Sequence, residues 1–189
     1  LPEACPPPTW LRQALRADAL RWSCLQLVRD QLGSGFWLAA GFIRNLAWDR
    51  LHGYPHATAL QDIDVIYLDN RDTSCEAELR YQQQLCAKLA APWQVRNQAR
   101  MAVRNGHTRY LDCNEAIGYW PETATCFAVR LDVTERLHWL APLGWEPLLT
   151  LQLHRNPAFT GGDAMWQRRL ANKDWLQRWP QLRIAPVQK

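Results

Sequence analysis

The sequence predicts a single α/β (α+β) domain over residues 1–189, in which short strands alternate with helices. Three observations lead there. Phe36-Trp37-Leu38-Ala39-Ala40 is a continuous apolar run of strand length, followed at once by Gly41 and a helical pattern. Residues 61–69 alternate polar and apolar side chains at the period of a strand. Residues 126–131 and 136–141 are two further strand-like runs with a short polar link between them, the pattern of a hairpin. A chain of 189 residues suits one core of this kind.

Composition narrows the class. Hydrophobic residues make up 48% and charged residues 21%, the balance of a globular chain rather than a disordered tail. The 22 Lys and Arg exceed the 18 Asp and Glu, a net charge of +4 that suits a polyanionic ligand without arguing for one by itself. The six cysteines, at 5, 24, 75, 86, 113 and 126, form no CxxC pair and no zinc spacing with histidine, so they read as reduced thiols. No stretch has the length of a membrane span, and the start of the chain carries Pro6-Pro7-Pro8 instead of an apolar leader. These features lead to the expectation of a cytoplasmic protein without a membrane partner.

The elements follow in order. Residues 10–32 place Leu11, Leu15, Ala19, Trp22, Leu25 and Val28 at steps of three and four, a helix that Thr9 can cap and Gly33-Ser34-Gly35 ends. After the apolar strand, residues 42–52 form a second helix with Ile43, Leu46, Ala47 and Leu51 on one face, closed by Gly53 and Pro55. Residues 74–91 are a helix with a capping box in Thr73 and Glu76, stopped by Pro92, and residues 93–101 are the next strand. Residues 112–118 are a short helix capped by Asp112, with Glu115 at the third position. After the hairpin, residues 146–153 and 163–179 read as helices, with Pro180 as a stop. The eleven tryptophans read chiefly as core and groove-lining anchors. His52 and His56 are separated by Gly53 and Pro55 and cannot form a zinc pair on one helical turn.

Two local patterns carry chemistry. A helix that opens directly from a buried strand presents free N–H groups, Gly41 permits close backbone approach, and Arg44 and Asn45 lie in the first turn. That combination suits an anion, and a phosphate above all. In the alternating strand, Asp62 and Asp64 share one face while Ile63, Val65 and Tyr67 fill the other. Two neighbouring carboxylates repel unless a cation sits between them, and Mg²⁺ uses one or two carboxylates with water and phosphate oxygens. On spacing alone the pair reads as two solvated acids at the start of a strand. Beside the strand–Gly–helix turn it reads as a metal site.

This order of buried strand, Gly, helix and acid pair resembles the DNA polymerase β-like nucleotidyltransferase superfamily, and within it one bacterial nucleotidyltransferase family. The matching stretches are GFIRNLAWDRLHG at 41–53, DIDVIYLD at 62–69, NQARM at 97–101 and WPET at 120–123, with Arg155-Asn156-Pro157 and Lys173-Asp174-Trp175 downstream. The resemblance implies an α/β core with a mixed sheet flanked by helices, two Mg²⁺ ions on Asp62 and Asp64, and transfer of a nucleotidyl group from NTP. It also implies a glycine pair at the phosphate turn, where this chain has Gly41 and then Phe42, and a third carboxylate on the following strand.

That strand departs from the family pattern. No Asp or Glu occurs between Ala91 and Leu111, and Asn97 or Gln98 stands where the third acid would be. Asp132 and Glu122 are the replacement candidates. The same stretch carries Arg96, Arg100, Arg104, His107 and Arg109. Spacing by four places Arg96, Arg100 and Arg104 on one face if the strand continues that far, so Arg96, Asn97 and Arg100 are expected to wall a triphosphate site. The leading expectation is a Mg²⁺-dependent nucleotidyltransferase acting on NTP and an undetermined acceptor. The alternatives are a catalytically degenerate nucleotide- or RNA-binding module on the same fold, and an RNA-binding or protein-interaction domain.

Overall fold

The computed structural model describes residues 6–186, so Cys5 and the two chain ends lie outside it. The N-terminal helix pattern is real but broken. It forms α1 (Thr9–Ala17) and α2 (Ala19–Leu32), with Asp18 extended between them. The reason is local: the Asp18 side chain accepts from Arg21 N at 2.9 Å, capping α2 and competing with continuation of α1. Pro8, not Thr9, is at the cap of α1, and Gly33, with φ 84°, ends α2 as expected.

The apolar run gives β1 (Trp37–Ala39), which passes directly into α3 (Gly41–Leu51), and the alternating run gives β2 (Ile63–Tyr67). The next helix, α4 (Cys75–Cys86), is capped by Ser74, which accepts from Ala77 N; the cap is one residue later than Thr73, and the helix ends before Ala91. β3 (Trp93–Asn97) stops short of the expected strand. The Asn97 side chain accepts from Ala99 N at 3.0 Å and starts α5 (Gln98–Arg104). Asp112 caps α6 (Cys113–Gly118) as expected, and β4 (Ala128–Leu131) and β5 (Leu137–Leu140) form the hairpin. The two C-terminal helical patterns are also shortened. They yield α7 (Glu146–Leu149), β6 (Gln152–Leu153), α8 (Asp163–Ala171) and α9 (Trp175–Arg178), before β7 (Arg183–Ile184) pairs with β6.

The main sheet has five strands in the order β3-β2-β1-β4-β5. It is mixed, with β2 and β3 parallel and the other pairs antiparallel. One face, with Leu38, Ile63, Val65, Trp93, Val95 and Val129, is buried under Leu11, Leu15, Leu25, Val28, Phe42, Ile43 and Leu85 from α1 to α4. The other face carries Ala39, Ile66 and Ala128, covered by Cys113 and Ile117 of α6. A separate cluster of Trp48, Ala124, Leu153, Trp175, Trp179 and Leu182 fastens the C-terminal segment to α3. The five described cysteines, at 24, 75, 86, 113 and 126, are free, and no described helix is long and apolar enough to cross a membrane.

Candidate active site

The site is built where β1 turns into α3. Ala39 lies opposite Asp64 of the antiparallel neighbour β2, so the turn and the acid pair meet by register. Ile63 and Val65 point into the main core, which sends Asp64 to the opposite face. Asp62 and Asp64 are both half-buried, and the two charges act on each other. Burial first, and Asp62 second, push the Asp64 carboxyl up to about 6, while Arg44, Lys173 and Arg96 pull it down. Two oxygen-donor groups that repel each other on one face suit a hard divalent cation. No group of three or more His, Cys, Asp or Glu with metal-binding geometry occurs among the described residues. A cation held by this pair alone would take the rest of its shell from water and substrate oxygens.

The phosphate turn differs in detail from the sequence expectation. Its left-handed residue is Ala40, at φ 51° and ψ −117°, a conformation that favours glycine. The turn is therefore Ala40-Gly41, and Phe42 does not narrow it, because the Phe42 ring is fully buried in the core. The carbonyl of Ala40 accepts from Ile43 N at 3.1 Å and from Arg44 N at 2.9 Å. The Gly41 and Phe42 N–H groups precede these bonds and have no acceptor within the helix. A Cβ at Gly41 would stand 3.2 Å from Arg44 Nη2, which would have to move by a few tenths of an ångström, and in ordinary contact at 3.6 Å with Asn45 Oδ1.

Arg44 lies beneath this turn and is almost fully buried. Its guanidinium carbon is 5.1 Å from the ring centre of Trp48 and 4.4 Å from that of Trp175. Nη2 donates to Asn45 Oδ1 at 2.9 Å, and Nε has no hydrogen-bond partner among the described residues. Burial lowers its pKa to about 10, with the charges of Glu122, Asp64 and Asp62 opposing the fall. Two indole faces and three nearby carboxylates thus keep a cation under the turn. Asn45 serves by orienting it.

The basic stretch is divided by the structure. Arg96 shares the sheet face of Asp64: it pairs with Ile66, two positions along β2, and its charge acts on Asp64. Arg100 does not join it, because residues after Asn97 are helical. Its guanidinium makes a two-pronged pair with buried Glu78, at 3.0 and 2.6 Å. Asn97 is committed to the backbone. Besides capping α5, it donates to the carbonyls of Asp69 and Asp72 at 2.7 and 2.9 Å and accepts from Asp69 N. Asn97 and Arg100 are held by fold contacts, and the spacing-by-four pattern of the arginines straddles two elements, with Arg96 on β3 and Arg100 and Arg104 on α5.

Neither candidate for a third acid is free at the site. Asp132 sits in the β4–β5 turn, bound to His138 Nε2 at 2.7 Å and to Thr134 and Arg136, at the end of β4 away from the Ala39–Ala128 pair. Glu122 is fully buried and held by the Arg169 guanidinium and Thr125. The residues that sequence reasoning missed are Ala40, Trp48, Lys173 and Trp175. Trp48, within the stretch at 41–53, and Lys173 and Trp175, within that at 173–175, were part of a family pattern without a role of their own, and Ala40 carried no signal.

A mixed sheet whose second strand sets an acid pair against the turn into α3 is the fold of the DNA polymerase β-like nucleotidyltransferases. Residues 29–184 match the nucleotidyltransferase family anticipated from the motifs, and the chain belongs to that family. A solved structure described as revealing a CCA-adding enzyme head domain superposes with a TM-score of 0.83 at 28% identity, covering 96% of this chain and 97% of that one. A tRNA-processing enzyme in an apo form shares the fold at a TM-score of 0.51 and 12% identity, over 85% of this chain and 44% of that one. No curated protein matches the chain in sequence.

Proposed function

We propose that the protein is a Mg²⁺-dependent nucleotidyltransferase that moves a nucleotidyl group from NTP to an acceptor hydroxyl. The observation that carries this reading is the meeting of Asp62 and Asp64 with the start of α3 across the Ala39–Asp64 register. Asp62 and Asp64 would hold the metal. Bound there, Mg²⁺ supplies charge neutralisation to the phosphates. The Gly41 and Phe42 N–H groups would donate to phosphate oxygens at the positive end of α3. Arg44 adds fixed positive charge beneath them, and Arg96 adds it from β3. The acceptor hydroxyl would give up its proton to water, its oxygen would attack the α-phosphorus, the bond to the oxygen bridging to the β-phosphate would break, and pyrophosphate would leave.

A second reading is nucleotide binding without turnover. It is favoured by the commitment of Glu122 and Asp132 to other partners, which leaves the acceptor proton without an evident carboxylate base. NTP labelled at the α-phosphate, incubated with Mg²⁺ and candidate acceptors including RNA, separates the two. Label transfer with pyrophosphate release, lost in Asp62→Asn and Asp64→Asn, supports the enzyme. Tight Mg²⁺-dependent NTP binding with no release supports the binding module. A protein that neither binds nor turns over NTP refutes both.

A further inference from the structure

We infer that Lys173 is a nucleotide-contacting residue, its ammonium binding the phosphate chain of an NTP held at Asp62 and Asp64, and that the link between α8 and α9 is a wall of the site. The inference rests on the proposed nucleotide reading of that site.

The C-terminal segment is anchored against α3 and the start of β2 at several points. Trp175 lies against the Arg44 guanidinium at 4.4 Å and edge-on to Trp48 at 5.7 Å. Asp174 accepts from Gln61 Nε2 at 3.3 Å, immediately before Asp62. The Trp179 indole N–H donates to Asp49 Oδ1 at 2.8 Å, and Tyr54 Oη donates to the Arg178 carbonyl at 2.6 Å. These contacts fix the backbone that follows Lys173 against α3 and beside Gln61, the residue before Asp62.

The Lys173 side chain is not used by the anchoring. The charged groups around it are already paired: Asp174 with Arg178 at 3.5 Å, and Arg169 with Glu122. Lys173 makes no ion pair within 4.0 Å among the described residues, and its Nζ stands 5.6 Å from the centre of the Trp175 ring. It is half-buried, and its charge reaches Asp64. A cation set back from two carboxylates cannot neutralise them by contact. It is placed to meet an anion that binds in front of them. A compact ammonium with three donors suits a phosphate oxygen, and the aromatic wall beside it limits where the side chain can go. Of the three cations acting on Asp64, Arg44 is sealed under the turn and Arg96 comes from β3, so Lys173 alone approaches from the C-terminal segment.

The test is titration calorimetry with Mg²⁺ and a non-hydrolysable NTP, and in parallel with the NMP, on wild type, Lys173→Met and Lys173→Arg. Thermal midpoints are measured alongside. Lys173→Met is expected to weaken NTP binding about tenfold or more, to weaken NMP binding less, and to leave the thermal midpoint in place. Lys173→Arg is expected to recover much of the loss. Unchanged NTP affinity in Lys173→Met, or an equal loss for NTP and NMP, overturns the inference while leaving the site reading intact. Wild type that binds no Mg²⁺-NTP overturns the site reading itself, whatever Lys173 does.

Discussion

Replacing Asp64 by asparagine should stabilise the metal-free protein. The carboxylate is half-buried, makes no hydrogen bond within the described residues, and faces Asp62, so its charged form is disfavoured in the fold and its pKa rises from 3.8 to about 6. That difference corresponds to roughly 3 kcal/mol, and partial exposure to water reduces it to about 1–3 kcal/mol. The sign follows from proton counting. Between pH 4 and 6 the native state binds more protons than the unfolded chain, so wild-type stability falls as pH rises through that interval and stays lowered above it. The amide of the Asp64→Asn variant carries no such charge. The variant's advantage should therefore be near zero at about pH 4, grow to about pH 6, and level off. At neutral pH it corresponds to a midpoint roughly 2–10 °C higher for a domain of this size. Differential scanning calorimetry in chelator at a series of pH values measures it. Added Mg²⁺ should then raise the midpoint of wild type and leave the variant nearly unmoved. A variant less stable than wild type at pH 7 in chelator, or an advantage independent of pH, would refute the account of a repelling acid pair.

Three further outcomes are expected. Ala40→Gly should be tolerated or stabilising by about 1 kcal/mol in urea titrations, because relief of a left-handed alanine exceeds the entropy lost by glycine, whereas Ala40→Val should destabilise. Arg100→Ala should cost about 2–4 kcal/mol of stability by leaving buried Glu78 with only the Asn97 N–H and the longer Arg96 contact at 3.8 Å, with NTP affinity unchanged at temperatures where the variant is folded; Glu78→Gln in the same background should recover part of the loss. Trp175→Ala should cost about 3–5 kcal/mol and release the cover on Arg44, while Trp175→Phe, which keeps an aromatic face, should retain nucleotide binding in calorimetry.

The patterns that were legible along the chain share one property: their physics is local. The alternation around Asp64 assigns its face because successive side chains of a strand point opposite ways, and Ile63 and Val65 on either side of it are buried in the core while Asp62 lies just before the strand. The apolar run before Gly41 gives a buried strand feeding a helix, and Asp112 with Glu115 gives a capped one. The same locality misled the reading of residues 93–104. An arginine every fourth residue fits two periods, and the deciding event is one side chain, Asn97, capping a helix while reaching to the 69–72 loop. Asp18 breaks the first helix in the same way.

The sequence by itself determined the family, the mixed α/β fold and the strand that carries Asp64 beside a helix start, because motif spacing and side-chain period are properties of short segments. Only the tertiary structure decided which charges belong to the site. Arg44 and Trp175 are separated by most of the chain, yet lie 4.4 Å apart. Arg100 is drawn off to Glu78, Glu122 to Arg169, and Lys173 is left unpaired among the described residues near Asp64. Charge pairing depends on distance in space and on burial, which raises the cost of any unpaired group, and neither quantity is written in the order of residues.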